Sequence, residues 1–485
     1  MTLPRPVRRA TALLPVPLLA ILLSGCAALG PNFTSPTAWW SPKSFTEAAP
    51  AQPSVTVAEP VDPQWWKLLG DPLLTAMEER LAKANLDVRV AALRVTEARA
   101  ELGVTQAGGL PAVNADASYA RVQQSRKGTQ SLTSPTRLRE PYDLFQYGFD
   151  ATWELDFWGH VRRGVEQSAA QLTATEESGR DVMVTAEAEL ARAYVRLRGV
   201  QRKLQITRQN LESSRQSLQL TQARAAGGLT TDLDVANAAA QVATIQAEIP
   251  GLEQQQSEFG NALGLLLGEA PQALTVELAA PRAVPPVPPR VPVGVPSELA
   301  RRRPDIRRAE AVLHAATAGI GVATADFYPR ITLGGNGMIQ GLQVANLGQW
   351  AALAYSIGPT VSLPIFDGGR RTRTLELREA QQQEAAILYQ RTVLGALHEV
   401  DNALTAYGAE QRRRAQLEIA VQQNRRALAL ARDRYAQGVT DFLQVLTVQR
   451  ALLAAEQDLT DSTTTVSTNM VALYKALGGG WQAGG

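Results

Sequence analysis

Apolar residues recur every seven positions along two adjoining stretches between residues 159 and 268. Leucine carries the period in the first stretch and a mixed set carries it in the second: Leu190, Leu197, Leu204, Leu211 and Leu218, then Ile245, Leu252, Phe259 and Leu266. A sustained seven-residue repeat predicts supercoiled helices that pack along a narrow apolar seam. The stretch from His160 to Ala226 would be about 100 Å long if helical throughout. The segment Gly227–Thr230 that follows predicts a turn.

This pattern occurs twice in the chain. Gly228-Leu229-Thr230 corresponds to Gly438-Val439-Thr440 at an offset of 210 residues, and Leu218 corresponds to Leu428 at the same offset. Shorter matches extend the duplication upstream at offsets of 218 and 208 residues. A duplication of this size predicts one structural unit used twice.

The duplication and the composition of the remaining segments predict the domain organisation. It consists of a signal peptide at 1–25, a lipidated N-terminal strap at 26–70, a first repeat at 71–268, a Pro-rich linker at 269–296, a second repeat at 297–478 and a C-terminal tail at 479–485. Each repeat is predicted to hold a helix, a β-hairpin and a long helical hairpin. The hairpins are expected at about 110–158 and 160–268 in the first repeat and at about 329–366 and 368–478 in the second.

The predicted β-hairpins rest on a change of period from helical to two. Apolar and polar residues alternate along Tyr147–Phe157 and along Leu353–Leu363, with weaker alternation near residues 113–119 and 331–333. A period of two predicts strands, and these approach the length that a tilted membrane strand needs, about 9–11 residues. The same alternation is also typical of a soluble sheet with one wet face.

Three features favour a membrane sheet. A leader exports the chain, the mature chain has no uninterrupted apolar helix long enough to span, and Tyr147, Phe157 and Trp158 lie near strand ends as in barrel girdles. Lipid tolerates no open sheet edge, so other chains have to complete a sheet of four strands. Three chains would supply about 12 strands, enough to leave a lumen.

The leader ends in a specific signal. Three arginines among the first nine residues precede an apolar run from Thr11 to Leu23 that is too short to span a bilayer permanently. Leu23-Ser24-Gly25-Cys26 follows, and it resembles the bacterial lipobox. Cys26 is the only cysteine of the chain, so we predict cleavage before Cys26 and a diacylglycerol and an N-acyl chain on it. An ordinary secretion leader with a chance cysteine is the alternative.

Charge and motifs exclude several functions. The 48 basic and 46 acidic residues nearly balance, so charge gives no reason to expect a nucleic-acid partner. His160, His314 and His398 lie far apart without cysteine neighbours, and no metal site is expected. No Walker loop, dinucleotide fingerprint, nucleophile elbow or metalloprotease motif occurs. We therefore predict neither an enzyme nor a cofactor beyond the covalent lipid.

Several separate motifs together resemble the outer-membrane factor family, the TolC-like exit ducts of bacterial tripartite pumps, and most of all its NodT-type lipoprotein branch. They follow the family's order over nearly the whole mature chain: Trp65-Trp66 through Asp71-Pro72, residues 153–159, residues 303–307, Phe327-Tyr328-Pro329, residues 363–366 and Tyr435 to Arg450. The resemblance implies a membrane α+β fold in which a trimer forms a 12-stranded outer-membrane β-barrel, continued by a long periplasmic α-helical barrel. It also implies a periplasmic adaptor and an inner-membrane transporter, commonly proton-driven, as partners.

The family's functional residues can be carried over by position. The adaptor is expected to dock on the two helix-hairpin tips, at Gly227, Gly228, Leu229 and Thr230 and at Gly438, Val439 and Thr440. Inward residues near the second tip close the periplasmic end, and here these are Tyr435, Leu443, Thr447 and Arg450. Thr447 departs from the family, which usually has aspartate there, so this position offers no ring of carboxylates. Asp441 is a carboxylate that could partly take its place.

These observations predict a passive exit duct for drugs or other small molecules, lipid-anchored in the outer membrane and extending into the periplasm. One alternative is a duct for metal ions or polypeptides. Another is a lipid-anchored coiled-coil scaffold without a pore. The four alternating segments argue against that scaffold, because a purely helical adaptor has no use for membrane-length strands.

Overall fold

The computed structural model describes residues 28–36, 53–123, 141–294 and 302–479. The predicted signal peptide and the predicted lipidation site Cys26 lie outside these ranges. So do most of the predicted C-terminal tail, residues 124–140 between two strands, and parts of the predicted strap and linker.

The chain forms two compact units, and each unit contains parts of both repeats. Unit 1 comprises Met1–Ser35, Glu97–Thr173 and Ala311–Ile387, and unit 2 comprises Pro36–Thr96, Ala174–Glu310 and Leu388–Gly485. In chain order the elements are β1 (Val55–Val57), α1 (Pro72–Ala84), α2 (Leu86–Ala107), β2 (Ala112–Val122), β3 (Tyr142–Glu154), α3 (His160–Ala226), α4 (Asp232–Leu266), α5 (Thr275–Leu278), β4 (Arg290–Pro292), α6 (Pro304–Ala325), β5 (Arg330–Gly341), β6 (Leu353–Ser362), α7 (Arg370–Ala436) and α8 (Phe442–Ala476).

The long helices reproduce the sequence duplication residue for residue. Helices α3 and α7 each have 67 residues and α4 and α8 each have 35. Both α7 and α8 begin and end 210 residues after their counterparts. Pro250 lies inside α4 without ending it, although proline removes a backbone hydrogen bond there. Among the described helices, none is both long enough and apolar enough to cross a bilayer.

The predicted heptad seam is buried within unit 2. Leu190, Leu197, Leu204 and Leu211 are buried along α3, and Ile245 and Leu252 are buried along α4. The main core of the unit adds Leu74, Met77 and Leu81 from α1 and Met470 and Tyr474 from α8. Trp65 is also buried and stacks on Tyr474 with ring centroids 5.3 Å apart. Trp66 is buried as well, so the Trp65-Trp66 pair packs in the core beside α1.

In unit 1 the four predicted strands form one antiparallel sheet in the order β2-β3-β5-β6. The two hairpins join through β3 and β5. Side chains alternate strictly between the faces: Ala115, Phe149, Gly337 and Tyr355 lie in one cross-strand row, and Asn114, Asp150, Asn336 and Ser356 lie in a row on the opposite face. One face is thus apolar and the other polar, as the period of two predicts.

Candidate functional site

The first helix-hairpin tip is a glycine-terminated helix end. After α3 the backbone N–H of Leu229 donates to the carbonyl of Arg224 (2.8 Å) and that of Gly228 donates to Ala225 (2.9 Å). Gly228 has φ of +71°, the left-handed conformation that this type of helix end requires. Thr231 then begins α4 with a reciprocal capping box that includes Asp234.

The second tip repeats this backbone with a different cap. Val439 donates to Arg434 (2.9 Å), Gly438 donates to Tyr435 (3.0 Å), and Gly438 has φ of +76°. Asp441 begins α8, and its carboxylate accepts from the backbone N–H of Gln444 (3.1 Å). This carboxylate is therefore engaged as a helix cap.

Both tips carry an exposed apolar residue and a carboxylate at the start of the returning helix. Leu229 is 70% exposed and Val439 is 69% exposed. In the first tip, the hydrogen bond from the Thr230 hydroxyl (2.5 Å) is the main cause that lowers the pKa of Asp234 below its ordinary value. A charged carboxylate at this place also interacts favourably with the helix dipole. Each tip thus offers an apolar contact beside a negative charge.

Alanine at Gly228 or Gly438 should lower the free energy of unfolding by about 1 kcal/mol, because a left-handed φ strains a residue that has a Cβ. A Cβ at either position meets no atom within 4 Å, so strain alone sets the cost. Gly227→Ala is the matched control, because its Cβ would make ordinary contacts from 3.5 Å outward and its φ is not positive. Urea unfolding measures the difference, and equal losses at Gly227 and Gly228 would contradict it.

Three of the four predicted gate residues share one exposed face of α8. Leu443, Thr447 and Arg450 are exposed, whereas Val445 and Leu446 between them are buried. The Thr447 hydroxyl donates to the carbonyl of Leu443 on its own helix (2.8 Å). The Arg450 Nε donates to Gln241 Oε1 on α4 (2.5 Å).

The structure does not place Tyr435 on that face. Its side chain is 5% exposed, on α7, and packs on Phe442 with ring centroids 5.6 Å apart. The Arg224 guanidinium lies 4.6 Å from the ring centroid of Tyr435, and its Nη1 donates to the Tyr435 carbonyl (3.1 Å). Tyr435 therefore joins the two helix-hairpin tips within one chain.

Arg224 is a functional candidate that the sequence reasoning missed. Its Nη1 also reaches the carbonyl of Ala436 (3.4 Å), so Arg224 from the first tip binds the carboxyl end of α7 in the second. An arginine in the last turn of a helix is a signal for contact with terminal carbonyls. The sequence could not show that the carbonyls belong to the neighbouring helix.

Arg303, just before the start of α6, is ion-paired. Arg303 is buried, and its Nη2 donates to Asp305 (2.7 Å) and Glu399 (2.8 Å). Its Nη1 donates to the carbonyl of Ala476 at the end of α8 (2.6 Å). These contacts join the start of α6 to α7 and α8 within unit 2.

Comparison with known proteins finds relatives that match along nearly the whole chain. The family model "Outer membrane efflux protein" matches residues 79–269 and 295–479. The chain is 33% identical to the pyoverdine export outer membrane protein OpmQ of Pseudomonas putida, over 100% of this chain and 99% of the relative. It is 34% identical to outer membrane protein OprJ of Pseudomonas aeruginosa, over 96% of each chain. The solved structure of the outer-membrane channel OprN superposes with a TM-score of 0.86 at 35% identity, covering 93% of this chain and 99% of that one.

These similarities confirm the predicted efflux channel of a tripartite pump and its location in the outer membrane. They fit this prediction rather than the alternatives. The chain belongs to the outer membrane efflux protein family.

Proposed function

We propose that three copies of this chain form a homotrimeric exit duct for drugs or other small molecules. The observation that carries the proposal is the two-faced sheet of unit 1. Strands β2 and β6 stand at the ends of the sheet, so each has one edge without a partner among the described strands. An apolar face suits lipid, but an open edge does not, and three such sheets would close a barrel of about 12 strands around a polar lumen.

The proposed duct continues as a long helical barrel through the periplasm, built from α3, α4, α7 and α8 of each chain. We assign gating to the exposed face of Leu443, Thr447 and Arg450, with Tyr435 and Arg224 holding the two tips of each chain together. In a trimer, three copies of Arg450 and Leu443 would narrow the opening. With threonine at position 447, the narrowing would depend on apolar packing and arginine rather than on a carboxylate ring.

The partners of the proposed duct are a periplasmic adaptor and a proton-driven inner-membrane transporter. The tips support an adaptor contact, because Leu229 and Val439 are apolar side chains that no described residue of the chain covers. The duct itself is passive and performs no catalysis, so substrate choice lies mainly with the transporter. We also propose that diacylglycerol and an N-acyl chain on Cys26 anchor the protein in the membrane.

Single-channel conductance in planar lipid bilayers tests this function. Purified wild type should give small currents, and a Leu443→Gly/Arg450→Ala variant should give currents several times larger, because both side chains that narrow the opening are removed. Leu233→Gly is the matched control, since Leu233 occupies the position in α4 that Leu443 occupies in α8 and is 69% exposed. It should leave the currents unchanged.

Each other outcome contradicts a different part of the proposal. Correctly folded trimers that conduct in neither form would exclude the duct. Equal large currents from wild type and variant would keep the duct and remove the gate assignment. A chemically cross-linked species other than a trimer would exclude the twelve-stranded barrel.

A further inference from the structure

Residues 28–33, which follow Cys26 by two positions in the sequence, contact the rest of unit 1. The backbone N–H of Leu29 donates to the carbonyl of Trp158 (3.1 Å), close to the start of α3. Gly30 lies against Gly321 of α6 so closely that a Cβ on Gly30 would stand 2.5 Å from the Gly321 Cα. A Cβ on Gly321 would in turn stand 2.8 Å from the Leu29 carbonyl oxygen. The backbones meet without room for a side chain between them.

An arginine at the start of α3 donates several hydrogen bonds to this segment. Arg163, in the first turn of α3, is 4% exposed. Its Nε donates to the Leu29 carbonyl (2.9 Å), and its Nη2 donates to Asn32 Oδ1 (2.7 Å) and more weakly to the carbonyls of Gly30 (3.3 Å) and Ala28 (3.4 Å). A planar guanidinium can serve several acceptors at once, which a lysine ammonium cannot do in the same geometry.

The far end of the segment is held by a second contact. Phe33 stacks on the imidazole of His314, with ring centroids 4.4 Å apart and planes 13° from parallel. His314 Nε2 lies 2.9 Å from Glu166 Oε1, and Glu166 Oε2 accepts from Arg163 Nη1 (2.7 Å). Arg163, Glu166 and His314 therefore form one connected network of polar contacts against which residues 28–33 pack. We call this network, together with Gly321, the N-terminal socket.

Ala28 lies two positions after Cys26 in the sequence. An extended chain spans at most about 3.6 Å per residue. Ala28 is in turn held by Arg163 at the start of α3, six residues after the end of β3. An anchor attached two positions before Ala28 would therefore be tied to a segment that is fixed near one end of the sheet.

We propose that the N-terminal socket is a docking site for the lipid-anchored end of the chain, and that Arg163 is its positioning residue. The docked segment fixes where the acyl chains enter the membrane relative to the sheet of unit 1, so the anchor is a rigid part of the unit and not a loose tether. This inference rests on the proposed lipidation of Cys26. It assigns to Arg163 and Gly321 a role separate from the gate and the helix-hairpin tips.

Digestion of the purified full-length protein by chymotrypsin tests the docking, because cleavage after Phe33 releases the peptide 26–33. Arg163→Ala removes a buried charged hydrogen-bond donor, and Gly321→Ala adds a Cβ 2.8 Å from the Leu29 carbonyl oxygen. Both should expose the segment and release this peptide about tenfold faster than wild type or more. Two neighbours are matched controls that should leave the rate unchanged. Arg162 is paired with Asp156 outside the socket, and a Cβ on Gly319 meets nothing nearer than the Gln167 side chain at 3.6 Å.

A third variant, within residues 28–33, separates release of the segment from unfolding of the whole protein. Asn32→Ala leaves the body of unit 1 untouched and removes the shortest contact of Arg163 with the segment, so it should also speed the release while the thermal unfolding of the protein stays as in wild type. Release at the wild-type rate from Arg163→Ala, Gly321→Ala and Asn32→Ala would overturn the docking. The mass of the peptide is an independent readout: a peptide without acyl chains would refute the lipidation and leave the docking result to stand by itself.

Discussion

Replacing Glu187 by leucine should raise the free energy of unfolding at pH 7 by about 2–3 kcal/mol, an unusually large gain for one substitution. Glu187 lies on α3 within the core of unit 2 and is 4% exposed. Burial raises the pKa of its carboxyl to about 9. At neutral pH the group must take up a proton when the protein folds, and leucine removes that cost.

Glu78 on α1 should behave in the same way. It is 2% exposed, and within the part of the chain that the structure describes neither of its carboxylate oxygens has a hydrogen-bond partner. Burial, with a contribution from the nearby Glu187 charge, raises the pKa of Glu78 well above its usual value. Two carboxyls with raised pKa values therefore share one apolar core, and the Glu78→Leu/Glu187→Leu variant should be more stable than either single variant.

The sign of the pH dependence follows from these shifts. A carboxyl with a raised pKa binds more protons in the folded than in the unfolded protein between about pH 4.5 and 9, so its contribution to stability is complete at low pH and is lost as the pH rises through 9. The advantage of Glu187→Leu should thus be below about 1 kcal/mol at pH 5 and should grow toward pH 8. Urea unfolding at several pH values measures it.

Exposed neighbours provide the controls for this experiment. Glu189 and Glu79 lie one or two positions away on the same helices and face solvent. Glu189→Leu and Glu79→Leu should change stability by no more than about 0.5 kcal/mol at any of these pH values. A pH-independent gain from Glu187→Leu would show that its carboxyl is not protonated on folding.

Tyr194→Phe should destabilise the protein by about 3 kcal/mol, because it breaks a buried chain of charged hydrogen bonds. The Tyr194 hydroxyl donates to Asp71 Oδ2 (2.6 Å) and accepts from Arg198 Nη2 (3.2 Å). Arg198 is fully buried, and its other contacts are the neutral oxygens of Gln201 (2.6 Å) and Ala280 (3.0 Å). The phenol is thus the link between the buried guanidinium and the carboxylate of Asp71.

The same Tyr→Phe substitution at two other buried tyrosines tests whether hydrogen bonding of the hydroxyl sets the effect. The Tyr407 hydroxyl donates to Ser54 Oγ (2.8 Å), so Tyr407→Phe should cost about 1 kcal/mol. The Tyr474 hydroxyl is buried and has no hydrogen-bond partner among the described residues, so Tyr474→Phe should gain up to about 1 kcal/mol. Urea unfolding of the three variants ranks them. If Tyr194→Phe and Tyr474→Phe had the same effect, hydrogen bonding of the hydroxyl would not be the cause.

The sequence predicted the elements whose pattern is periodic and local. The heptads located the long helices, the two Gly-Leu/Val-Thr turns located the tips, and strict alternation located the four strands of the sheet, since each of these signals depends only on spacing along the chain. The gate residues were carried over from the family resemblance, and the spacing of Leu443, Thr447 and Arg450 shows only that the three share one face of α8.

Features that depend on contacts between residues distant in the sequence could not be predicted from the sequence. Glu187 and Glu189 are indistinguishable in an Ala- and Glu-rich helix, yet one is buried in an apolar core and the other faces solvent. The position of Tyr435 in the sequence predicts a gate residue. Only its contacts with Phe442 and Arg224 show that its ring is buried within the chain. The contacts of residues 28–33 with Arg163 join parts of the chain that are more than a hundred positions apart.

The equal lengths of the paired helices restrict how this protein can change in evolution. Removing one turn from α3 and α4 alone would withdraw the first tip by about 5 Å, and Arg224 would no longer reach the carbonyls of Tyr435 and Ala436. The same deletion made 210 residues downstream would restore the match. Insertions and deletions in the two hairpins should therefore be inherited in pairs, so that relatives with longer or shorter helices keep both repeats equal.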